Sequence, residues 1–214
     1  MKLTDMATRI PKQKRSIEKF NGIIRTSFRI INEDKFSTTS THIIAKGAGV
    51  GVGTIYDYFD SKDDILLAVL EYESSRFWCE LEEKVYGWDI NDPVGAMHEY
   101  FKFIINYGYK NTGFVKMAFG SIPDVIQMSP VERNLTRSES VFKSLLMKID
   151  SNARPSIIDT NAFLLANAML GVVLGIARGT PPTVDKESII KELIVSTNIF
   201  IYNVKEDCKI EFQS

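Results

Sequence analysis

Residues 39–62 read TSTHIIAKGAGVGVGTIYDYFDSK, two short helical pieces around a glycine-rich corner. The first opens in a Thr/Ser cluster, Thr39, Ser40 and Thr41, suited to an N-cap whose hydroxyl accepts an orphan backbone N–H. Ile43, Ile44 and Ala48 follow at helical spacing and predict its inward face. Gly49-Val50-Gly51 makes the corner, because glycine takes the positive φ that a tight helix-to-helix turn requires. Val50 is the apolar plug. A second helix is predicted from Val52 to Phe59, with Ile55 and Phe59 inward and Thr54, Tyr56, Asp57 and Tyr58 outward. Two apolar-backed helices joined by such a turn form a helix-turn-helix, whose second helix lies in a DNA major groove.

The outward residues suit that use. Hydroxyls of Thr39, Thr41, Thr54, Tyr56 and Tyr58, the backbone N–H groups of Val52 and Gly53, and Lys62 are donors of the kind that hold phosphate oxygens. Base edges fall to Val52, Thr54 and Asp57: a Val or Thr methyl meets a thymine methyl, and Asp accepts from a cytosine amino group. Ser40 and Gly51 complete the candidate DNA-binding set.

The run IAKGAGVGVGTIYDYFDSKDDIL, residues 44–66, resembles the helix-turn-helix signature of the TetR (tetracycline-repressor) family of bacterial transcription regulators. The matching features are Ile44-Ala45, Ala48-Gly49-Val50, Gly53-Thr54-Ile55-Tyr56, Tyr58-Phe59 and Ser61-Lys62. Phe36 also falls where that family places an aromatic. The likeness covers about the first third of the chain; beyond it, only length and helical character are shared. Two positions depart from the pattern. Gly51 replaces the usual Ser or Thr cap, at a loss of a few tenths of a kcal/mol. Gly47 lies inside a helix and costs roughly 1 kcal/mol against Ala.

The composition is that of a soluble globular protein, 44% hydrophobic and 25% charged, and 214 residues are enough to bury a full core. No N-terminal apolar signal stretch is visible, and a cytoplasmic protein is expected. Cys79 and Cys208 are too few and too far apart for a disulfide framework or a metal site. The net charge of −1 hides an asymmetry: residues 1–62 carry 11 Lys/Arg against 6 Asp/Glu, residues 63–214 carry 15 against 21. A basic head on an acidic body fits a DNA-binding module with a separate regulatory domain.

Residues 1–14 form a basic lead with Lys2, Arg9, Lys12 and Lys14, read as a solvated tail. A first helix is predicted from Ser16 to Asn32, with Ile17, Phe20, Ile24, Phe28 and Ile31 on its apolar face and Arg25 and Arg29 within reach of a DNA backbone. Ser61 and Asp64 make a capping-box start to a long helix reaching Val85, with Ile65, Leu66, Val69, Leu70, Phe77 and Leu81 apolar. Residues 87–91 break it. Asp92 caps a helix with Pro93 in its first turn, ending near Asn111. A short helical piece, residues 113–119, follows. Ser129-Pro130-Val131-Glu132 is a capping box opening a helix to Ile149, with Val141, Phe142, Leu145 and Leu146 inward. Residues 162–177, AFLLANAMLGVVLGIA, are almost wholly apolar. A membrane span wants about 20 apolar residues; this run is shorter and holds Asn167, so a helix buried on most sides is expected and no membrane partner. Gly171 and Gly175 permit close approach of another helix. A turn at Thr180-Pro181-Pro182 and a last helix, residues 186–204, complete an all-α chain. The expected domains are a DNA-binding head, residues 1–61, and a helical effector-binding and dimerisation body, residues 62–214.

The resemblance implies that helices 156–178 and 186–204 pair with their copies in a homodimer, which places two recognition helices about 34–36 Å apart on an inverted-repeat operator. It also implies a small-molecule pocket in the body. Trp78, His98, Phe101, Ile105, Tyr107, Phe114, Met117, Phe119, Phe142 and Asn167 are the candidate ligand-binding residues, with Asn106 a further polar possibility, and an apolar or aromatic effector fits such a lining. The glycines of residues 47–53 give no G-x-G-x-x-G and no phosphate-loop Lys. His42 and His98 lack metal-pair spacing, and no hydrolase or zinc-protease motif is present. No cofactor, metal or enzymatic activity is expected. The reading is a repressor released by its ligand. A constitutive DNA binder without effector, and an enzyme with an incidental helix-turn-helix, are the alternatives.

Overall fold

A computed structural model describes residues 11–85, 91–120, 130–179 and 184–205. Among these residues the chain is helical throughout, with no strand: α1 (Lys14–Asn32), α2 (Thr41–Ala48), α3 (Val52–Tyr56), α4 (Lys62–Val85), α5 (Pro93–Lys110), α6 (Thr112–Gly120), α7 (Pro130–Ile149), α8 (Pro155–Arg178) and α9 (Lys186–Lys205). Lys2 and Arg9, the break at 87–90, Ser129, the turn at 180–182 and Cys208 lie outside the described residues.

The chain packs as two compact units, Met1–Cys79 with Asn111–Pro130, and Glu80–Lys110 with Val131–Ser214. In the first, α1 buries Phe20, Ile23, Ile24, Ile30 and Ile31. This stripe is turned from the predicted one: Ile17 is 40% exposed and Phe28 half-buried. Ile23 and Ile30 carry the contact instead, giving the wider face of a core helix. Gly47 of α2 lies where a Cβ would stand 2.8 Å from the Thr26 methyl of α1. The helix-propensity cost predicted for that glycine therefore accompanies a close α1–α2 crossing. Ser61 and Asp64 form the expected capping box, the Ser61 N–H donating to Asp64 Oδ2 (2.9 Å) and the Asp64 N–H to Ser61 Oγ (3.1 Å).

The α6 helix belongs to this unit and docks on the end of α1. The Asn32 side chain donates from Nδ2 to Asn111 Oδ1 (3.0 Å) and accepts the Phe114 N–H at Oδ1 (3.2 Å), satisfying a donor that the α6 start leaves free. A Cβ on Gly113 would lie 2.4 Å from the Asn32 carbonyl oxygen, so only glycine admits this approach. Phe28 and Phe114 meet edge to face at 5.3 Å, and Lys116 pairs with Asp34 at 2.5 Å. Within α4, Glu73 is buried and pairs with Arg76, whose guanidinium sits over the Phe28 ring. Burial raises the Glu73 carboxyl above its ordinary value, against the pull of Arg76.

In the second unit, Asp92 caps α5 through the Gly95 N–H (2.9 Å). α5 buries Met97, Tyr100, Phe101, Ile104 and Ile105. Tyr100 and Phe101 pack on Phe142 of α7, and the Tyr100 hydroxyl donates to Ser138 Oγ at 2.8 Å. α8 passes beside Gly108, where a Cβ would stand in ordinary contact 3.8 Å from Val173 and 3.9 Å from Ile176. The predicted enclosure of α8 on most sides is not found. Ile158, Ala162, Leu165, Ala166, Met169 and Ile176 are buried, while Phe163 and Leu164 are exposed. Although α8 is long and apolar enough to cross a bilayer, it packs on α5 and α9 along one face. Asp185 caps α9 through Ser188, and Ile190, Thr197 and Ile201 are its buried side.

Candidate nucleic-acid interface

The reading head is built around one left-handed residue. Gly49 has φ +67° and ends α2, the conformation glycine adopts without a Cβ penalty. Gly51, expected to share that need, sits at an ordinary φ of −70° as the N-cap of α3 and offers no side-chain cap. Ser40, rather than Thr39, caps α2, accepting the Ile43 N–H at 3.4 Å.

Two helical faces differ from the prediction. Ile43 is 55% exposed and the α2 core face is Ile44 and Ala45. α3 ends at Tyr56, but helical hydrogen bonds run on, the Asp57 N–H to the Gly53 carbonyl and the Phe59 N–H to the Ile55 carbonyl, both at 2.9 Å. Tyr58, three residues after the buried Ile55, shares its face with Phe59 and is buried rather than outward. Its ring meets Phe20 edge-on at 5.5 Å, and its hydroxyl donates to the Ser16 carbonyl at 3.3 Å.

Several expected phosphate donors have other engagements. Thr39 is buried and its hydroxyl donates to the Lys35 carbonyl at 2.7 Å. The Lys62 ammonium donates to the carbonyls of Phe36 (2.9 Å), Ser37 (3.0 Å) and Thr39 (3.2 Å) and lies over the Phe36 ring. That lysine fixes the loop leading into α2, a role its position in the motif alone did not reveal. Arg29 is drawn to Glu33, which also binds Lys35; Lys35 holds the Glu33 carboxyl below its ordinary value.

The groups left facing solvent are Ser40, Gly51, Gly53, Tyr56 and Asp57, with Thr41, Val52 and Thr54 half-exposed. Tyr56 is 53% exposed, and its hydroxyl lies 3.3 Å from Thr41 Oγ1, joining the first turn of α2 to the end of α3. This surface combines hydroxyls, two small apolar groups and one carboxylate, the mixed donor, acceptor and methyl chemistry that groove recognition uses.

The candidate ligand residues fall in both units. In the first, Trp78 is buried against the Phe77 ring, Phe114 against Phe28, and Met117 is half-buried. The Phe119 side chain lies outside the described residues. In the second, Phe101 and Phe142 pack together, Ile105 is buried and Tyr107 half-buried. Asn106 is exposed, and Asn167 bonds back to the Phe163 carbonyl at 2.8 Å. Among the described residues, the half-buried His98 has no partner for Nε2, and the buried Tyr109 hydroxyl also lacks one. Tyr109 was not singled out by sequence, since nothing in an aromatic's spacing shows whether its hydroxyl is paired. Burial, then the nearby Lys102, lowers the His98 pKa, favouring a neutral imidazole.

The profile of bacterial regulatory proteins of the tetR family matches residues 23–69, which span the head. The fatty acid metabolism regulator protein of Bacillus subtilis is 38% identical over 74 residues, covering 35% of this chain and 37% of that protein. Among solved structures, the fatty acid degradation regulator FadR from Bacillus halodurans superposes over 90% of this chain and 97% of that one, with a TM-score of 0.67 at 16% identity. AibR, solved with isovaleryl coenzyme A and operator DNA, covers 83% and 97% with a TM-score of 0.61 at 17% identity. These structural likenesses carry the all-helical fold across the body, where sequence identity is low. Residues 23–69 thus carry the signature of the tetR family of bacterial regulatory proteins, and the rest of the chain shares the all-helical fold of the solved structures.

Proposed function

We propose that the protein is a dimeric transcriptional repressor that leaves an inverted-repeat operator when an acyl compound binds its body. The observation that carries the DNA part is the exposed α3 face of Gly53, Thr54, Tyr56 and Asp57, braced through the Tyr56–Thr41 contact. In this reading Tyr56, Thr41, Ser40 and the backbone around Val52 and Gly53 hold phosphates. Val52, Thr54 and Asp57 meet base edges, and Asp57 has no ion pair among the described residues to divert it. A cytoplasmic location follows from such a role.

Dimerisation rests on the apolar surface that α8 and α9 leave uncovered: Phe163, Leu164, Val195, Ile199 and Tyr202 are all exposed. Among the described residues, nothing beyond its own helix backbone lies within 4 Å of a Cβ at Gly171 or Gly175, leaving room for a helix of a second copy. The acyl effector is drawn from the relatives, two of them fatty acid regulators and one bound to isovaleryl coenzyme A. His98 Nε2 and the Tyr109 hydroxyl, without a hydrogen-bond partner among the described residues, are each able to meet a polar group of such a ligand. Release then needs the ligand to prefer the DNA-incompetent state by roughly 5.5 kcal/mol to turn a 99:1 population into 1:99.

The test is selection from random duplex DNA by the purified protein and by Tyr56→Ala, followed by release assays with fatty acids and acyl-coenzyme A thioesters. An enriched inverted repeat that the variant fails to bind supports the reading. No enrichment at low salt refutes it, and an operator insensitive to every acyl compound refutes the effector alone.

A further inference from the structure

The first turns of α1 carry cations that do nothing for the helix. Lys14 and Arg15 stand in its first turn, where no acidic residue is present. The positive end of the helix dipole disfavours cations there. Lys12, just before the helix, is also exposed, and Lys19 follows one turn after Arg15. None of the four is in an ion pair among the described residues; Glu18, four residues after Lys14, is exposed and likewise unpaired among them. The like charges of Arg15 and Lys19, spaced i,i+4, repel each other on the same face. A patch of net charge +3 is thus maintained against local helix stability.

The head also fixes where this patch sits. The Tyr58 hydroxyl donates to the backbone carbonyl of Ser16, inside the same turn. Phe20 packs edge-on against Tyr58 and stacked on Phe59 at 5.4 Å. Tyr58 and Phe59 are the residues immediately after α3. The cationic turn is therefore tied, through the core, to the two residues that follow the helix assigned to DNA recognition, within one compact unit.

From this placement we infer that Lys12, Lys14 and Arg15 bind backbone phosphates of the same operator, flanking the bases that α3 reads. The occupant is duplex DNA: the charge complements phosphate, and the patch is anchored to the residues that end the proposed interface helix, on whose DNA-binding role this inference rests. Such contacts add affinity without sequence preference. Tyr58 acts as the positioning residue, holding the turn in place from the core.

The experiment compares wild type with Lys14→Ala/Arg15→Ala and a charge-matched control, Lys148→Ala/Lys191→Ala, on the selected operator across a salt series. Losing two phosphate contacts lowers the slope of log K against log salt by about 1.8. Between 50 and 200 mM salt, wild-type affinity then falls about tenfold more than the variant's. The selected base sequence stays the same, and the control keeps the wild-type slope. The thermal midpoint of the variant is unchanged or raised, since it loses cations from the positive helix end, so unfolding does not imitate the effect. An operator bound by all three proteins with one slope overturns the inference and leaves the repressor reading intact. Equal slope loss in the control overturns it too, because net charge alone would then explain the change. Failure of the wild type to enrich any operator removes the DNA reading and this patch with it.

Discussion

Gly53→Ala separates what α3 needs for folding from what it needs for DNA. Gly53 has no positive φ, and a Cβ built there meets nothing within 4 Å. The methyl group therefore has space in the free protein, and the backbone already has a conformation Ala accepts. Replacing helical Gly by Ala recovers about 0.5–1 kcal/mol of backbone entropy, with the lower figure apt in a helix of five residues. For a chain of this size that is a rise of about 1–4 °C in the thermal midpoint. On the operator the sign reverses. If the backbone at Gly53 approaches a phosphate, the methyl occupies the space between them and displaces a hydrogen bond to a charged group, worth about 1.5–3 kcal/mol. Affinity then drops by roughly tenfold to a hundredfold. The assays are scanning calorimetry of the free protein and fluorescence anisotropy with labelled operator. Higher stability with weaker binding is the expected pair. A stabilised variant with unchanged affinity would show that Gly53 does not face the duplex, and a lowered midpoint would refute the claim of free space.

Other outcomes follow from the same geometry. Gly113→Ala places its methyl against the Asn32 carbonyl and Ile31 oxygen of α1, backbone atoms that no rotamer change can clear. It should cost about 1–3 kcal/mol, read as a lower urea midpoint at constant slope, and an unchanged midpoint would mean that α6 does not press on α1. Ile199→Glu, at a site 63% exposed, should turn a dimer into a folded monomer in sedimentation velocity; a dimer of undiminished strength would move the interface off α9. Glu73 has a folded-state carboxyl pKa raised above the ordinary 4.5. The folded chain thus binds that proton more tightly, and its contribution to stability is full below 4.5 and lost as pH rises through the raised value. Urea midpoints of wild type and Glu73→Gln, measured from pH 4.5 to 7, should diverge in that sense, the wild type losing more on the way up. Parallel curves would sink the assignment.

How much of this was legible in the sequence depends on the range of the forces involved. Local signals read well. The Ser61–Asp64 box, the Asp92 cap and the glycine at the end of α2 each act over three or four residues, and each was found where its residues predicted. Faces set by a partner element read less well. Whether Ile17 or Ile23 is covered depends on which side of α1 the other helices take, and both satisfy helical spacing. Tyr58 shows a different failure: it lies three residues after Ile55, a spacing that shares the inward face, and its hydroxyl suggested a donor to DNA where it in fact serves the core. Lys62 and Asn32 lie at the far limit. The first reaches carbonyls 23 to 26 residues away and the second caps a helix 79 to 82 residues away, and single-sequence periodicity carries no trace of such pairings. Gly47 and Gly113 look like weak points by propensity, yet at both positions another helix stands where the side chain would be. Their meaning appears only once packing is known. The same limit governs the body, where apolar spacing locates helices but does not distinguish a filled core from the wall of a binding site. The polar atoms of His98 and Tyr109, unpaired among the described residues, are a local signal of that difference, and so effector recognition is best pursued from them rather than from the aromatic residues.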